Sequence, residues 1–137
     1  MFRYRKSTRK YVKKVNSDVC PFCSIDPELK VQTHGTVKVM KNKFGYDVWE
    51  GRTVIDHLLV FPARHVRSLE ELTKQERADM MDVMATYEAK DYNVYARSVD
   101  SVQRSVPAHQ HTHLVKTDHR KPKVVLYVDK PYFMTKF

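Results

Sequence analysis

Glycine and cysteine are both scarce in this chain, which has three glycines and two cysteines among 137 residues. Two cysteines are too few for the disulfide framework that stabilises many small secreted domains. No stretch approaches the roughly eighteen consecutive apolar residues of a membrane span, and the N-terminus lacks the apolar core of a secretory signal. We therefore expect a cytoplasmic protein that does not enter a membrane.

The length fits one domain with a single core. Lysine and arginine outnumber the acids 25 to 16, and the first fourteen residues are strongly basic with no acid among them. We expect residues 1–16 to form a flexible basic tail and residues 17–137 to form the domain. The tail either aids solubility or contacts phosphates, including those of nucleic acid, and basicity alone does not choose between these roles.

Short alternating segments predict strands in the body of the chain. Residues 36–40 and 46–50 are expected to pair as a hairpin, and residues 53–61, which end at Pro62, are expected to form a more buried strand. Three further strands are predicted at residues 92–97, in the histidine-rich stretch, and at residues 123–129.

One helix is predicted between residues 68 and 90, where apolar residues recur at three- and four-residue spacing. Its start is ambiguous because Ser68 with Glu71 and Thr73 with Glu76 both have the spacing of a capping box. Sequential strands with one main helix indicate an α+β domain, with an antiparallel sheet of about five strands. We expect its edge to be paired or covered, with a second copy of the chain as one candidate.

The stretch "VPAHQHTHLV" places His109, His111 and His113 at every second position. In a strand these side chains would form a row with neighbours roughly 6.6 Å apart. A solvated polar face is one interpretation. Two sharper ones are metal ligation and an imidazole that acts as nucleophile or proton carrier.

The segment "CPFC" contains both cysteines, Cys20 and Cys23. This spacing is typical of a metal knuckle or a redox pair. A closed structural zinc site needs four ligands, so one or two histidines must complete a set that begins with two thiolates.

Three segments in order, "CPFC", "DHLLVFPARHVRSLEEL" and "SVPAHQHTHLV", resemble the histidine triad (HIT) superfamily of nucleotide hydrolases and transferases, over about residues 20–116. The resemblance implies a HIT-like fold and a homodimer. It also implies that the middle triad histidine, His111, attacks the α-phosphate of a nucleotide to form a nucleotidyl-histidine that water hydrolyses. By the same resemblance His113 positions the phosphate and leaving group, and His57 orients the nucleophile through a hydrogen bond.

The resemblance also implies a metal site. Family members with CxxC bind structural zinc through the two cysteines, a histidine at the end of the buried strand and the first triad histidine. The corresponding residues here are Cys20, Cys23, His65 and His109.

Substrate contacts are less regular than the triad. Arg104 and Ser105 lie just before it and are candidates for phosphate binding, although Ser105 is four residues before His109 where the family has three. The family's ribose-binding Asp lies eight residues before the His57 position, which is Trp49 here; Asp47 or Glu50 is an alternative for the ribose, and Trp49 is a candidate for stacking on a base. Gln110 and Thr112 occupy positions that are apolar in the family.

The sequence thus predicts a zinc-containing nucleotide hydrolase or transferase that cleaves a dinucleoside polyphosphate or a nucleoside phosphoramidate. Two alternatives stay open. One is a non-catalytic, zinc-stabilised module that binds nucleotides or RNA, and the other is a structural zinc domain that serves as a partner interface.

Overall fold

The structure, a computed structural model, describes residues 18–119. The predicted tail and the predicted strand at 123–129 lie outside these residues. The described elements, in chain order, are β1 (Val31–His34), β2 (Val37–Lys41), β3 (Val48–Trp49), β4 (Arg52–Pro62), α1 (Lys74–Glu88), β5 (Asn93–Tyr95) and β6 (Thr112–Thr117).

The strands form one antiparallel sheet in the order β1-β2-β4-β6-β5, with the two-residue β3 paired to β4 off this path. The prediction of an α+β fold with one main helix is confirmed. The long central β4 contacts three other strands, so residues along its 11-residue length are brought beside both β2 and β6. Among the described residues, α1 included, no helix has the length and apolar character needed to span a bilayer.

The predicted hairpin between residues 36–40 and 46–50 is wrong. β2 instead turns back on β1, with His34 opposite Val37, and β3 turns into β4, with Trp49 opposite Arg52. Each turn has two residues. In the first turn φ is 56° at Gly35, and in the second it is 47° at Glu50 and 70° at Gly51. Two-residue hairpin loops favour such angles because their twist matches that of the strands.

The two faces of the sheet have different roles. α1 covers one face, where Met80 and Val83 pack against Val39, Val60 and Leu114. On the opposite face Met40, Leu59 and Phe61 pack with Phe22. Because one face is occupied by the helix, the other is left for the histidines of β4 and β6.

The helix begins after Thr73, which settles the ambiguity at its start. Thr73 Oγ1 accepts the backbone N–H of Glu76 at 3.1 Å, and Glu76 Oε2 accepts the N–H of Thr73 at 2.8 Å, which completes a capping box. The other candidate, Ser68, bonds Glu71 in the turn that precedes the helix.

Candidate active site and metal cluster

The triad histidines are all buried, and the structure brings them together. Only His113 lies in β6, opposite Leu59; His109 and His111 precede the strand. The expected row on one strand is therefore wrong for these two, because the N–H of Gln110 donates to Val66 O at 2.7 Å rather than to a strand. The rings of His111 and His113 still lie close, with centroids 5.2 Å apart.

The tautomer of His111 follows from its hydrogen bond. Its Nδ1 lies 3.0 Å from the carbonyl oxygen of His109. A carbonyl can only accept, so Nδ1 carries the proton and Nε2 of the neutral ring carries a lone pair. Burial lowers the pKa of His111 to about 4. The ring is therefore neutral near pH 7, with an unprotonated Nε2.

His57 and His113 form a chain of defined polarity. The N–H of Tyr46 donates to His57 Nδ1 at 3.0 Å, so the proton of neutral His57 is on Nε2. That Nε2–H lies 2.9 Å from His113 Nδ1 and donates to it. Neutral His113 then keeps its own proton on Nε2. The resemblance implied a bond from His57 to the nucleophile; here His57 bonds His113, whose ring packs edge-on against His111.

The β2–β4 register brings a residue to this site that the sequence reasoning missed. The backbone N–H of Asn42 donates to His57 O at 2.8 Å, and its side-chain Nδ2 lies 3.3 Å from His57 Nε2. Its Oδ1 accepts the N–H of Phe44 at 3.0 Å. Its position depends on the pairing of β2 with β4, which the sequence did not predict.

Gly45 allows the chain to pass close to His57. A Cβ at this position would lie 3.2 Å from His57 Cβ and 3.4 Å from His57 Nδ1. Glycine therefore lets the loop approach closely enough for Tyr46 to donate to the imidazole.

The four predicted metal ligands converge. One ligand atom from each of Cys20, Cys23, His65 and His109 lies within 4.8 Å of all the others. Cys23 Sγ lies 3.0 Å from His65 Nδ1 and 3.6 Å from His109 Nδ1, and Cys20 Sγ lies 3.4 Å from His109 Nδ1. Zinc bonds of about 2.3 Å to sulfur and 2.0–2.1 Å to nitrogen place tetrahedral ligands at similar mutual distances, so the set fits a metal ion.

Backbone groups orient this cluster. The Nε2–H of His109 donates to Pro62 O at 3.0 Å, which leaves Nδ1 as the lone-pair nitrogen that faces the thiols. The amides of Cys23 and Ser24 both donate to Cys20 O, at 3.2 and 3.0 Å, and fold the segment into a turn. These bonds turn the donor atoms of the cluster toward one another.

A cavity of about 670 Å³ opens beside the triad. His111, His113 and Ser105 line it, as does Asn42. Its apolar lining includes Phe22, Leu29, Met40, Phe44, Leu59 and Val106. An apolar cavity with polar groups at one end is typical of a small-molecule site.

Two residues expected to contact substrate are used for packing. Arg104 is buried, and its guanidinium donates to Arg67 O at 2.6 Å and to Val99 O at 3.4 Å. Trp49 packs between Tyr46 and Tyr95, with ring centroids 6.2 and 5.1 Å away. Neither side chain lines the cavity. Their position follows from the β3 hairpin and the loop before the triad, which residue spacing did not predict.

No protein-family model and no curated protein matches the sequence, but several solved structures are similar to it. A HIT family hydrolase from Clostridium thermocellum has a TM-score of 0.54 at 16% identity, and the match covers 80% of this chain and 99% of that one. A hypothetical protein from Leishmania major has a TM-score of 0.55 at 22% identity, with 82% of each chain covered. A histidine triad nucleotide-binding protein from Candida albicans has a TM-score of 0.50 at 16% identity, covering 84% and 87%. The fold of this chain is therefore that of the histidine triad superfamily.

Proposed function

We propose that this protein is a histidine triad nucleotide hydrolase or nucleotidyl transferase with His111 as its nucleophile. The observation that carries the proposal is the tautomer of His111: a buried imidazole beside the cavity whose Nδ1 proton is held by His109 O. Nε2 is then the atom with a free lone pair. Two proteins of similar structure, a HIT family hydrolase and a histidine triad nucleotide-binding protein, support this chemistry.

The reaction uses the polarity of the histidine chain. His111 Nε2 forms a bond to the α-phosphorus while the bond from phosphorus to the leaving oxygen or nitrogen breaks. His113 lines the same cavity, and its Nε2–H donates a hydrogen bond to the leaving atom, which takes a proton from solvent. Water then attacks phosphorus while the bond from phosphorus to His111 Nε2 breaks, which releases the nucleotide, restores the neutral imidazole and returns a proton to solvent. A neutral imidazole avoids the repulsion that an anionic nucleophile meets at phosphate.

Substrate binding is assigned to the cavity. Its volume and apolar wall suit a nucleoside, with the base against the apolar side chains. Asn42 is assigned to the ribose, for which the sequence offered Asp47 or Glu50, because it faces His57 across the sheet and lines the cavity. Ser105 lines the triad end and is assigned to phosphate.

Zinc is the proposed occupant of the cluster. Two thiolates and two imidazoles complete a tetrahedron with no position left for water or substrate, which makes the site structural. When bound, the ion crosslinks the Cys20–Cys23 turn to the end of β4 and to the triad segment. The segment that contains the triad would then be held by coordinate bonds to the metal as well as by packing.

We also propose a homodimer. β5 ends the sheet order, and Val94 on it is a large apolar side chain exposed to solvent. Within residues 18–119 no strand pairs with the outer edge of β5, and such an edge with an apolar side chain favours pairing with a second copy.

Intact-protein mass spectrometry after brief mixing with diadenosine polyphosphate or an adenosine phosphoramidate tests the catalytic proposal. Wild type should gain one nucleotidyl group and lose it with time, whereas His111→Ala and His111→Gly should gain none. His34→Ala, an exposed β1 residue outside the cavity, is the matched control and should behave as wild type. Full turnover by His111→Ala would refute the mechanism, and binding without adduct or turnover would favour a non-catalytic nucleotide-binding module.

A further inference from the structure

Phe22 is the buried side chain of the Cys20–Cys23 turn. It is 4% exposed, whereas Pro21 and Cys23 on either side of it are exposed. An aromatic ring is thus inserted into the protein from a turn that also provides two of the four cluster ligands.

The ring of Phe22 lies between the cluster and the nucleophile. Its centroid is 5.3 Å from that of His109, a cluster residue, with an edge-on angle of 70°. It is 5.1 Å from the centroid of His111, at 42°. Phe61 supports it from β4 at 4.6 Å. These distances are in the range of packed aromatic pairs.

The orientation of His111 depends on such packing. The hydrogen bond to His109 O fixes where Nδ1 lies, but a single bond leaves the ring free to tilt about it. Phe22 contacts the imidazole at 42° and His113 contacts it at 69°. The direction of the Nε2 lone pair is therefore set partly by the phenyl ring.

Packing on Met40, Leu59 and Phe61 holds the ring of Phe22, and the cluster links the backbone of its turn to the rest of the chain. The two hydrogen bonds of the turn, from Cys23 and Ser24 to Cys20 O, are local and do not attach it to the sheet. The thiols reach much farther along the chain, to His65, 42 residues from Cys23, and to His109, 89 residues from Cys20. Closing these ligands around an ion would fix the backbone on both sides of Phe22.

We propose that Phe22 is a positioning residue that couples occupancy of the metal cluster to the orientation of the His111 ring. With the cluster closed, the phenyl ring holds His111 at the tilt needed for in-line attack. With the cluster open, the turn relaxes and the imidazole samples other tilts. The kinetic part of this proposal rests on the proposed function, whereas the coupling between cluster and ring does not.

Phe22 also lines the cavity, so a direct contact with substrate must be distinguished from a positioning role. Comparing the effects of substitutions on kcat and on KM makes this distinction. Phe22→Leu and Phe22→Met, which both replace the ring by a smaller apolar side chain that is not aromatic, should lower kcat about tenfold and change KM less than about twofold. Phe44→Leu removes another phenyl ring that lines the cavity but not one that packs on His111, and should act mainly on KM. A Phe22→Leu effect confined to KM would overturn the positioning role.

Chelation gives the second comparison. Removing zinc from wild type should lower kcat about as much as Phe22→Leu does. Chelation should then lower the kcat of Phe22→Leu little further, because both changes remove the same coupling between the cluster and His111. Multiplicative effects of the two changes would show that they act independently and would overturn the proposal. Zinc content of each variant, with melting temperature, verifies that the variants fold.

Nuclear magnetic resonance of labelled histidine rings tests the coupling without turnover. At constant pH the His111 ring signals should shift when zinc is added to chelated wild type, and this shift should shrink at least threefold in Phe22→Leu and Phe22→Met. A zinc-induced shift that persists in both variants would mean that the signal passes through the His109 carbonyl instead. If the shift depends on Phe22 but no turnover is found, the coupling holds and the proposed function fails.

Discussion

Hydrogen bonds to the main chain set the protonation pattern of the histidines beside the cavity. The carbonyl of His109 assigns the proton of His111 to Nδ1, and the amide of Tyr46 assigns the proton of His57 to Nε2. Backbone groups do not titrate near neutral pH, so they determine which nitrogen of each neutral ring carries the proton. The result is a lone pair at His111 and an N–H at His113, the two groups that the proposed reaction requires.

Gly45→Ala is expected to lower kcat about two- to tenfold with little loss of stability. The new methyl carbon would lie 3.2 Å from His57 Cβ, which forces a shift of a few tenths of an ångström between the loop and the ring that Tyr46 holds. Steady-state kinetics with thermal melting measures both effects. Gly51→Ala is the control: nothing lies within 4 Å of its Cβ, so its positive φ should cost stability without changing kcat. An unchanged kcat in Gly45→Ala would show that the close approach is not needed.

At the scale of elements, the cap of α1 is tied to the segment that carries a cluster ligand. Arg64, the neighbour of His65, donates from Nε and Nη2 to the two carboxylate oxygens of Glu76 at 2.9 and 2.8 Å. The same carboxylate closes the capping box at Thr73. The Glu76 carboxylate therefore fixes the start of α1 and also the segment after β4 that contains Arg64.

Glu76→Gln is expected to destabilise the fold by about 1–2 kcal/mol, because the amide keeps the size of the side chain but loses the charge-assisted bonds to Arg64 and weakens the box. Urea denaturation at pH 7 measures the free energy of unfolding. Glu71→Gln, in the exposed turn before the helix, is the matched control and should change it by less than about 0.5 kcal/mol. Equal effects of the two substitutions would contradict a special role for the cap.

The same carboxylate predicts a pH dependence. The bond from Arg64, helped by the Thr73 amide, lowers the pKa of Glu76 from 4.5 to about 2. A group with a lowered pKa in the folded state stabilises the fold above its ordinary pKa and loses that contribution as pH falls. The stability difference between wild type and Glu76→Gln should therefore be full above about pH 5 and shrink toward pH 2, as followed by urea titration at each pH. A difference that stays constant down to pH 2 would show that the shift is absent.

For the whole molecule, the cluster joins segments far apart in the chain. Cys20 and His109 are 89 residues apart, and Cys23 and His65 are 42 residues apart. Closing long loops restricts the unfolded chain, and metal binding to a folded site adds directly to folding stability. The metal should therefore be a main source of stability for residues 20–111.

Chelation of purified protein is expected to lower the melting temperature by at least about 5 °C, and zinc should restore it. Differential scanning calorimetry measures the shift, and atomic absorption should find one zinc per chain. Cys23→Ser should lose both the metal and the response to chelator, whereas His34→Ala, outside the cluster, should keep both. A melting temperature that chelator leaves unchanged in wild type would rule out the structural role.

Local patterns in the sequence predicted α1 and the long strand β4 but not β1. Apolar periodicity indicated α1, an apolar run that ends at a proline indicated β4, and two capping-box spacings, one of them at Thr73, bracketed the start of the helix. Such signals lie within one helix or strand, where side-chain direction follows directly from backbone geometry. The four ligands that converge within 4.8 Å were implied by the family resemblance of three separate segments.

Pairing between strands was decided by tertiary structure. The residues between β2 and β4 suggested a hairpin that does not form. Trp49 was a substrate candidate because of the family spacing of eight residues before His57, whereas Asn42, which lines the cavity, was not singled out. The same applies to Arg104, whose guanidinium donates to the carbonyl oxygen of Arg67, in the segment after β4, and to that of Val99, in the loop before the triad. The register of strands and the burial of side chains depend on which distant segments pair. The free energy of that pairing comes from contacts throughout the core, so the spacing of residues within one segment does not determine it.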